Sequence, residues 1–293
     1  MKDKQDSLFL LDLDQPVMAL RQFISSWVLL SDGKAVIIDP GPASTIPRLV
    51  KGLKDLGMTE PAAILLTHIH IDHAGGTGDL VEQYPGTPVL CHPKGIPHMA
   101  DPARLWEGSL KVLGDLARAY GPIKPVPEEL LFFSPEAHFQ GFDIQVLETP
   151  GHAAHHLSFL LGDTLFAGEV LGVHLPAETL YLRPATPPVF RYRDFVRSIN
   201  SLKEHAFNRI CFGHYGTSHK PEEILPAAGG QLEKWVEIVA SAKGNRDRAV
   251  EEILAKDPLV QAYGSFPQDI QDRERYFIGN SVKGIALSLE QEE

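Results

Sequence analysis

Six consecutive positions, His68-Ile69-His70-Ile71-Asp72-His73, hold three imidazoles and one carboxylate. They follow the apolar run Ala62-Ala63-Ile64-Leu65-Leu66, bounded by Pro61, which reads as a buried strand. If His68 and His70 extend that strand, their alternation puts both rings on one side. Asp72 and His73 then fall on the turn, with Gly75-Gly76 leading into a helix over Asp79–Tyr84. Nitrogen and oxygen donors at this density suit one or two borderline divalent metals such as zinc. A polar turn with incidental histidines rarely packs them so closely.

Three later positions repeat one local plan, in which an apolar strand meets a glycine and then a candidate ligand. His152 follows Thr149-Pro150-Gly151 at the end of Phe142–Leu147. Glu169 follows Leu165-Phe166-Ala167-Gly168, and His214 follows Ile210-Cys211-Phe212-Gly213. A glycine there lets the backbone turn sharply at a sheet edge and approach a metal closely. Each signal alone is weak, since a lone histidine after glycine is more often structural. Their joint occurrence behind the first motif is not.

These residues carry a resemblance to the metallo-β-lactamase fold superfamily over roughly 8–219: the His68-x-His70-x-Asp72-His73 run, the Pro150-Gly151-His152 turn, the Gly168-Glu169 and Gly213-His214 strand ends, and the early Ile38-Asp39-Pro40-Gly41. The resemblance implies an α/β chain folded as a four-layer αββα sandwich, with the metals at one edge between the sheets. Carried over by position, His68, His70 and His152 would hold a first metal, and Asp72, His73 and His214 a second. Where such proteins usually have a bridging Asp, this chain has Glu169, whose extra methylene moves the carboxylate by about 1.5 Å. Asp163 fits a bridge poorly, because it lies in the Gly162-Asp163 hairpin turn. Asp39 is expected as a turn residue that supports the ligands.

The chemistry implied is hydrolysis by a metal-bound hydroxide acting on a small thioester, ester or lactone. The cofactors would be two divalent ions, zinc first, with iron or manganese as alternatives. Asp72 is both ligand and candidate to orient the attacking water and shuttle its proton. Two other classes stay open: an iron-dependent oxidoreductase of the persulfide dioxygenase type, and a non-catalytic binding protein whose Glu169 has weakened the centre. The full second-metal set argues against a single iron. The lack of a glycine- and threonine-rich phosphate loop argues against a fused flavin domain. A nuclease is disfavoured by acidic charge and the lack of room for a large inserted domain. Antibiotic cleavage is disfavoured because such enzymes are normally exported.

The elements that must position these residues are legible in outline. Leu8–Leu13, Phe23–Leu30 and Ala35–Ile38 read as strands, with Ser31-Asp32-Gly33-Lys34 as a hairpin turn. Ile46–Leu56 has helical spacing, Thr87–Cys91 reads as a strand, and Arg104–Tyr120 as a helix weakened by Gly108 and Gly114. Leu157–Leu161 and Thr164–Ala167 form a second hairpin, Tyr192–His205 a helix, and Arg209–Phe212 a strand. Val170–Arg191 reads as a loop that walls the pocket. Within it, Tyr181 is weighed as a donor to substrate or, with better odds, as packing. One of His155 and His156 is expected to support or pack rather than to ligate. After His219 the signals are helical, at 221–242, 246–255 and 268–289. We therefore expect a metal-binding domain over 1–219 and a helical extension over 220–293 packed on it, acting as a lid, a structural extension or a dimerising element.

Composition sets the remaining bounds. The chain has 293 residues, 43% hydrophobic and 22% charged, with a formal net charge of -11. That is ample for a core and disfavours nucleic acid and anionic membrane surfaces. The expected partner is a small-molecule substrate, and the tail is compatible with a homodimer. Cys91 and Cys211 lie in apolar runs and read as buried, inert thiols. The stretch from Met1 to Asp14 lacks a long apolar region and a cleavage site, and no apolar run reaches transmembrane length. The expected location is the cytoplasm.

Overall fold

The computed structural model describes residues 7–15, 17 and 19–292. The start of the N-terminal stretch read for a leader, Met1–Asp6, lies outside them. The described residues of 1–17, 21–147 and 159–162 form one compact unit, and those of 18–20, 148–158 and 163–293 another. The helical tail shares a unit with strands from the second half.

In the first unit, β1 (Ser7–Asp12), β2 (Ser25–Ser31), β3 (Lys34–Ile38), β4 (Glu60–Leu65), β5 (Val89–Leu90) and β6 (Leu131–Phe132) make one sheet in sequence order. The first pairs are antiparallel. From β3 onward the pairs are parallel. The β2–β3 hairpin closes on Asp32 and Gly33, both with positive φ, as its Asp-Gly turn demands. Pro61 brings no N–H to the ladder, and the β3–β4 register shifts beside it, between Ala35 and Val36. The interior of β3 and β4 is a continuous apolar run, as parallel strands require.

Six helices belong to this unit: α1 (Ile46–Asp55), α2 (Ile71–Ala74), α3 (Thr77–Gln83), α4 (Ile96–Ala100), α5 (Ala103–Leu113) and α6 (Asp115–Tyr120). Helix α1 buries Ile46, Leu49 and Leu53, one stripe at helical spacing. The helix read over Arg104–Tyr120 is two, broken at Gly114 with φ 57°. A hairpin of β7 (Glu136–Phe139) and β8 (Phe142–Glu148) follows, with Phe142, Ile144 and Val146 buried between exposed neighbours.

The chain then runs through β9 (Leu157–Leu161) to the strands of the second unit, β10 (Thr164–Gly168), β11 (Val173–Leu175), β12 (Tyr181–Arg183), β13 (Arg209–Phe212) and β14 (Thr217–Ser218). Strand β10 pairs in parallel with β13, and β13 antiparallel with β14. The Val170–Arg191 stretch is not a plain loop, because β11 and β12 pair across it. Their side chains are nearly all buried, and three residues apiece are too few for a period to mark them in the sequence. Helices α7 (Tyr192–Ser201), α8 (Pro221–Ser241), α9 (Arg246–Lys256) and α10 (Gln268–Glu292) complete the unit.

Two buried polar knots fasten the tail to β12. Asp257 accepts from Trp235 Nε1 at 2.6 Å and Gln231 Nε2 at 2.7 Å, and Gln231 also donates to Leu182 O at 2.6 Å. Glu274 on α10 accepts from Tyr181 Oη at 2.9 Å, Arg183 Nε at 2.6 Å and Arg273 Nε at 3.0 Å. Burial alone would raise the Glu274 carboxyl, but the guanidinium groups of Arg183 and Arg273 hold it below the usual carboxylate range. Tyr181 is therefore a packing residue bonded to a carboxylate. Both cysteines are free and buried, and burial pushes the Cys91 thiol up to about 12 and the Cys211 thiol higher still. No described helix is long and apolar enough to cross a membrane.

Because the folded Glu274 carboxyl titrates below its ordinary value, its stabilisation is complete above the ordinary carboxylate range. It is lost as pH falls through the lower, folded value. Glu274→Gln should cost about 3–5 kcal/mol at neutral pH, since it strands buried arginines, and should flatten the acid limb of stability. Urea unfolding against pH checks this, and a variant with the parent's midpoint at neutral pH would contradict it.

Candidate metal centre

The first set of candidate ligands hangs on Asp39. This residue ends β3 with φ 52° and is tied to the neighbouring strand end by its N–H, which donates to Leu65 O at 3.0 Å. A short carboxylate side chain tolerates that left-handed backbone better than most. Its Oδ1 accepts from Thr67 N at 2.8 Å, and its Oδ2 from Thr67 Oγ1 at 2.6 Å and His73 Nδ1 at 3.0 Å. Thr67 has one hydroxyl proton and gives it to Asp39. Its oxygen therefore accepts from His68 Nδ1, 2.9 Å away. With Nδ1 protonated and held on both rings, His68 and His73 present Nε2 as the coordinating nitrogen. Asp39, His68 and His73 offer donor atoms within 4.8 Å of one another. Asp39 is already engaged by three donors, so it serves as the holder of the rings.

Strand β4 stops at Leu65, so His68 and His70 do not extend it as the alternation suggested. The Thr67 bonds pull the chain out of the ladder. His70 instead caps α2 in an extended conformation, φ -63° and ψ 148°. The two rings still meet edge to face, with centroids 4.6 Å apart, and His73 lies 4.3 Å from His68. One turn of α2 brings Asp72 Oδ2 within 3.8 Å of His73 Nε2. Asp72 is 20% exposed against 2% for His73, which makes it the reachable carboxylate of the set. The first unit thus gathers His68, His70, Asp72 and His73.

The second unit gathers the other three. Glu169 Oε2 lies 2.8 Å from His152 Nε2, and Oε1 lies 3.0 Å from His214 Nε2. One carboxylate oxygen therefore faces each ring, the disposition a bridging ligand needs. Burial alone would push the Glu169 carboxyl up. The rings of His152 and His214 outweigh that and hold it well below the usual carboxylate range. His152 donates from Nδ1 to Ala185 O at 2.9 Å, so Nε2, which faces Glu169 Oε2, is the nitrogen a metal would take. Gly213 is required by close approach: a Cβ there would sit 2.7 Å from Gly168 O, which accepts the Gly213 N–H at 2.8 Å. This contact brings the ends of β10 and β13 together, and with them Glu169 and His214.

His156 has both nitrogens engaged and is no ligand. Its Nε2 accepts the Glu169 N–H at 3.0 Å, so Nδ1 carries the proton and donates to Thr149 Oγ1 at 2.8 Å. Thr149 passes its proton to Ser158 Oγ at 2.9 Å, and Ser158 donates to Ala167 O at 3.1 Å. Each member of this buried chain has a consistent donor and acceptor role, and its product is a fixed Glu169 backbone. Asp163 is exposed at the hairpin turn, as its sequence position implied. His174 stacks on Phe212 at 4.9 Å and bonds Tyr215 O at 2.9 Å, with burial pushing its pKa down. Sequence reasoning missed Thr67, Thr149 and Ser158, although the two threonines stand just ahead of His68 and His152. It also missed the Ala185 carbonyl, which no side-chain type can announce.

The donors suit a divalent metal. Buried imidazoles with anchored Nδ1, beside the carboxylates of Asp72 and Glu169, are nitrogen and oxygen ligands of the borderline class.

A family model described as the metallo-beta-lactamase superfamily matches residues 20–214. The metallo-beta-lactamase fold-containing protein ST1585 of Sulfurisphaera tokodaii is 28% identical over 197 residues, 65% of this chain and 72% of that one. Its crystal structure superposes with a TM-score of 0.73 at 23% identity, covering 97% of this chain and 100% of that one. A hydroxyacylglutathione hydrolase of Xylella fastidiosa is 36% identical over 151 residues, 50% of this chain and 44% of the relative, so this chain spans under half its length.

His156→Ala should destabilise the fold by about 1–3 kcal/mol, since it strands the buried Glu169 N–H. Urea unfolding at neutral pH measures this, and an unchanged midpoint would show that His156 holds nothing.

Proposed function

The chain belongs to the metallo-beta-lactamase superfamily, whose members are largely metal-dependent hydrolases, and from that premise we propose that it hydrolyses a small thioester of the acyl-glutathione type. The observation that carries the reading is the anchoring of Nδ1 on His68, His73 and His152, which commits three buried rings to coordination through Nε2. The thioester is supported by the relatives named hydroxyacylglutathione hydrolase, which match 50% to 64% of this chain. Joining both donor sets into one centre for two zinc ions rests on the family's ligand order carried over by position: His68, His70 and His152 for one ion, Asp72, His73 and His214 for the other, with Glu169 between.

Bound zinc supplies Lewis acidity, polarising a carbonyl and making water acidic enough to act near neutral pH. The chain's own residues do the rest. Asp72, the partly exposed carboxylate of its set, takes the proton of the attacking water and returns it to the leaving thiolate. Asp39 keeps His68 and His73 in one tautomer throughout. Glu169, ionised and fixed at its backbone by His156, holds its charge between His152 and His214. No serine or cysteine nucleophile is needed, and both buried thiols stay protonated.

Zinc-replete protein should hydrolyse S-acylglutathione thioesters faster than lactones, simple esters or β-lactams in one panel. Chelation should abolish turnover and added zinc restore it. His70→Ala should fall below detection with an unchanged far-ultraviolet circular dichroism spectrum. Asp39→Asn should weaken zinc by about 10–100-fold in chelator competition. Parent-level turnover in folded His70→Ala, or inertness toward every ester class, would defeat the reading.

A further inference from the structure

The Ala185–Thr186 peptide is gripped from both ends. Its carbonyl accepts from His152 Nδ1 at 2.9 Å. Its N–H donates to Ser281 Oγ on α10 at 3.4 Å. A trans peptide is planar, with C=O and N–H pointing opposite ways, so fixing one end aims the other. Ser281 Oγ also donates to Pro184 O at 2.9 Å, and Ser281 O accepts from Thr186 Oγ1 at 3.1 Å. One helix residue therefore holds the turn on either side of the carbonyl that meets His152.

Packing closes the grip. A Cβ at Gly284, one turn further along α10, would lie 1.9 Å from Thr186 O and 2.7 Å from Pro187 C, so only glycine lets helix and turn approach this closely. The segment entering the turn is fastened to the same helix through Tyr181, Arg183 and Glu274. Arg183 is almost fully buried and lies over the Phe277 ring, 5.2 Å from its centroid. All of α10 lies beyond residues 20–214, the stretch that matches the family model.

We propose that α10 is a positioning element for the metal centre, in which Ser281 and Gly284 set the Ala185 carbonyl and through it the ring orientation and tautomer of His152. The inference rests on the reading of His152 as a metal ligand. It assigns the tail a role that neither a lid nor a dimerising extension would have: the tail tunes metal affinity without touching metal or substrate.

The test uses the full chain in four variants, Ser281→Ala, Gly284→Ala, Gly279→Ala and His152→Ala. Gly279 lies on the same helix with no atom within 4 Å of an added Cβ, so its alanine variant is the control. Zinc affinity is read by chelator competition, and the Thr186 amide by hydrogen exchange in metal-free protein. Ser281→Ala should speed exchange at Thr186 and weaken zinc by about 10–100-fold, the usual cost of losing a residue behind a ligand. Gly284→Ala should weaken zinc likewise, although alanine is the better helix former. Gly279→Ala should change neither readout. Parent-level zinc affinity in Ser281→Ala, with Thr186 exchanging faster and His152→Ala losing zinc, would overturn the proposal alone. Parent-level affinity in His152→Ala would instead remove its premise, and the proposal with it. Should Gly284→Ala fail to fold, Ser281→Ala decides the matter.

Discussion

A single buried carboxylate, that of Asp39, organises the first set of donors. It accepts from the Thr67 backbone, the Thr67 hydroxyl and His73 Nδ1. An ionised group taken out of water is tolerable only when hydrogen-bonded in this way. The bonds do two jobs. They end β4 by drawing Thr67 out of the ladder, and they choose the tautomer of two imidazoles. The strained backbone of Asp39, with φ 52°, aims the carboxylate at those donors. The consequence is pre-organisation: the rings need not choose a nitrogen when a ligand arrives.

The second unit solves the same problem with a different residue. There the acidic group is itself a candidate ligand, so something else must hold it. His156, Thr149 and Ser158 do so as a relay of single protons ending on Ala167 O. The tail supplies a third anchor, through the Ala185 carbonyl. In all three places the grip comes from a residue at or beside a regular element: Asp39 directly follows β3, His156 directly precedes β9, and Ser281, which holds the Ala185 turn, lies on α10. A strand edge or helix is stiff enough to hold an imidazole to a fraction of an ångström, which a free loop is not.

Much of this was legible in the residues. The strand-then-glycine plan ahead of His152, Glu169 and His214 survives because glycine there answers a steric demand. Gly213 has no room for a side chain against Gly168 O. Helices α8, α9 and α10 were readable because apolar spacing and breaks at Lys243-Gly244-Asn245 and the Pro258–Pro267 stretch mark them plainly. The strand extension through His68 and His70 was not real, because alternation cannot reveal that Thr67 finds a better acceptor than its neighbour strand. The β11–β12 pair escaped notice because strands of only three residues carry too little pattern. The Ala185 carbonyl was beyond sequence reasoning altogether, since every residue has one. Glu169 was legible as a candidate ligand from its place after Gly168, and its side chain faces both rings, one oxygen to each.

The central claim is that these donors hold a pair of divalent metal ions, and metal content per chain tests it most directly. Plasma mass spectrometry on protein purified without a polyhistidine tag or chelator should find about two zinc ions per chain, the count the donor inventory supports. A single iron per chain would contradict the hydrolase and move an oxidoreductase to the front. No retained metal, after dialysis against zinc, would mean that Glu169 closes the gap between His152 and His214 for the chain's own stability alone.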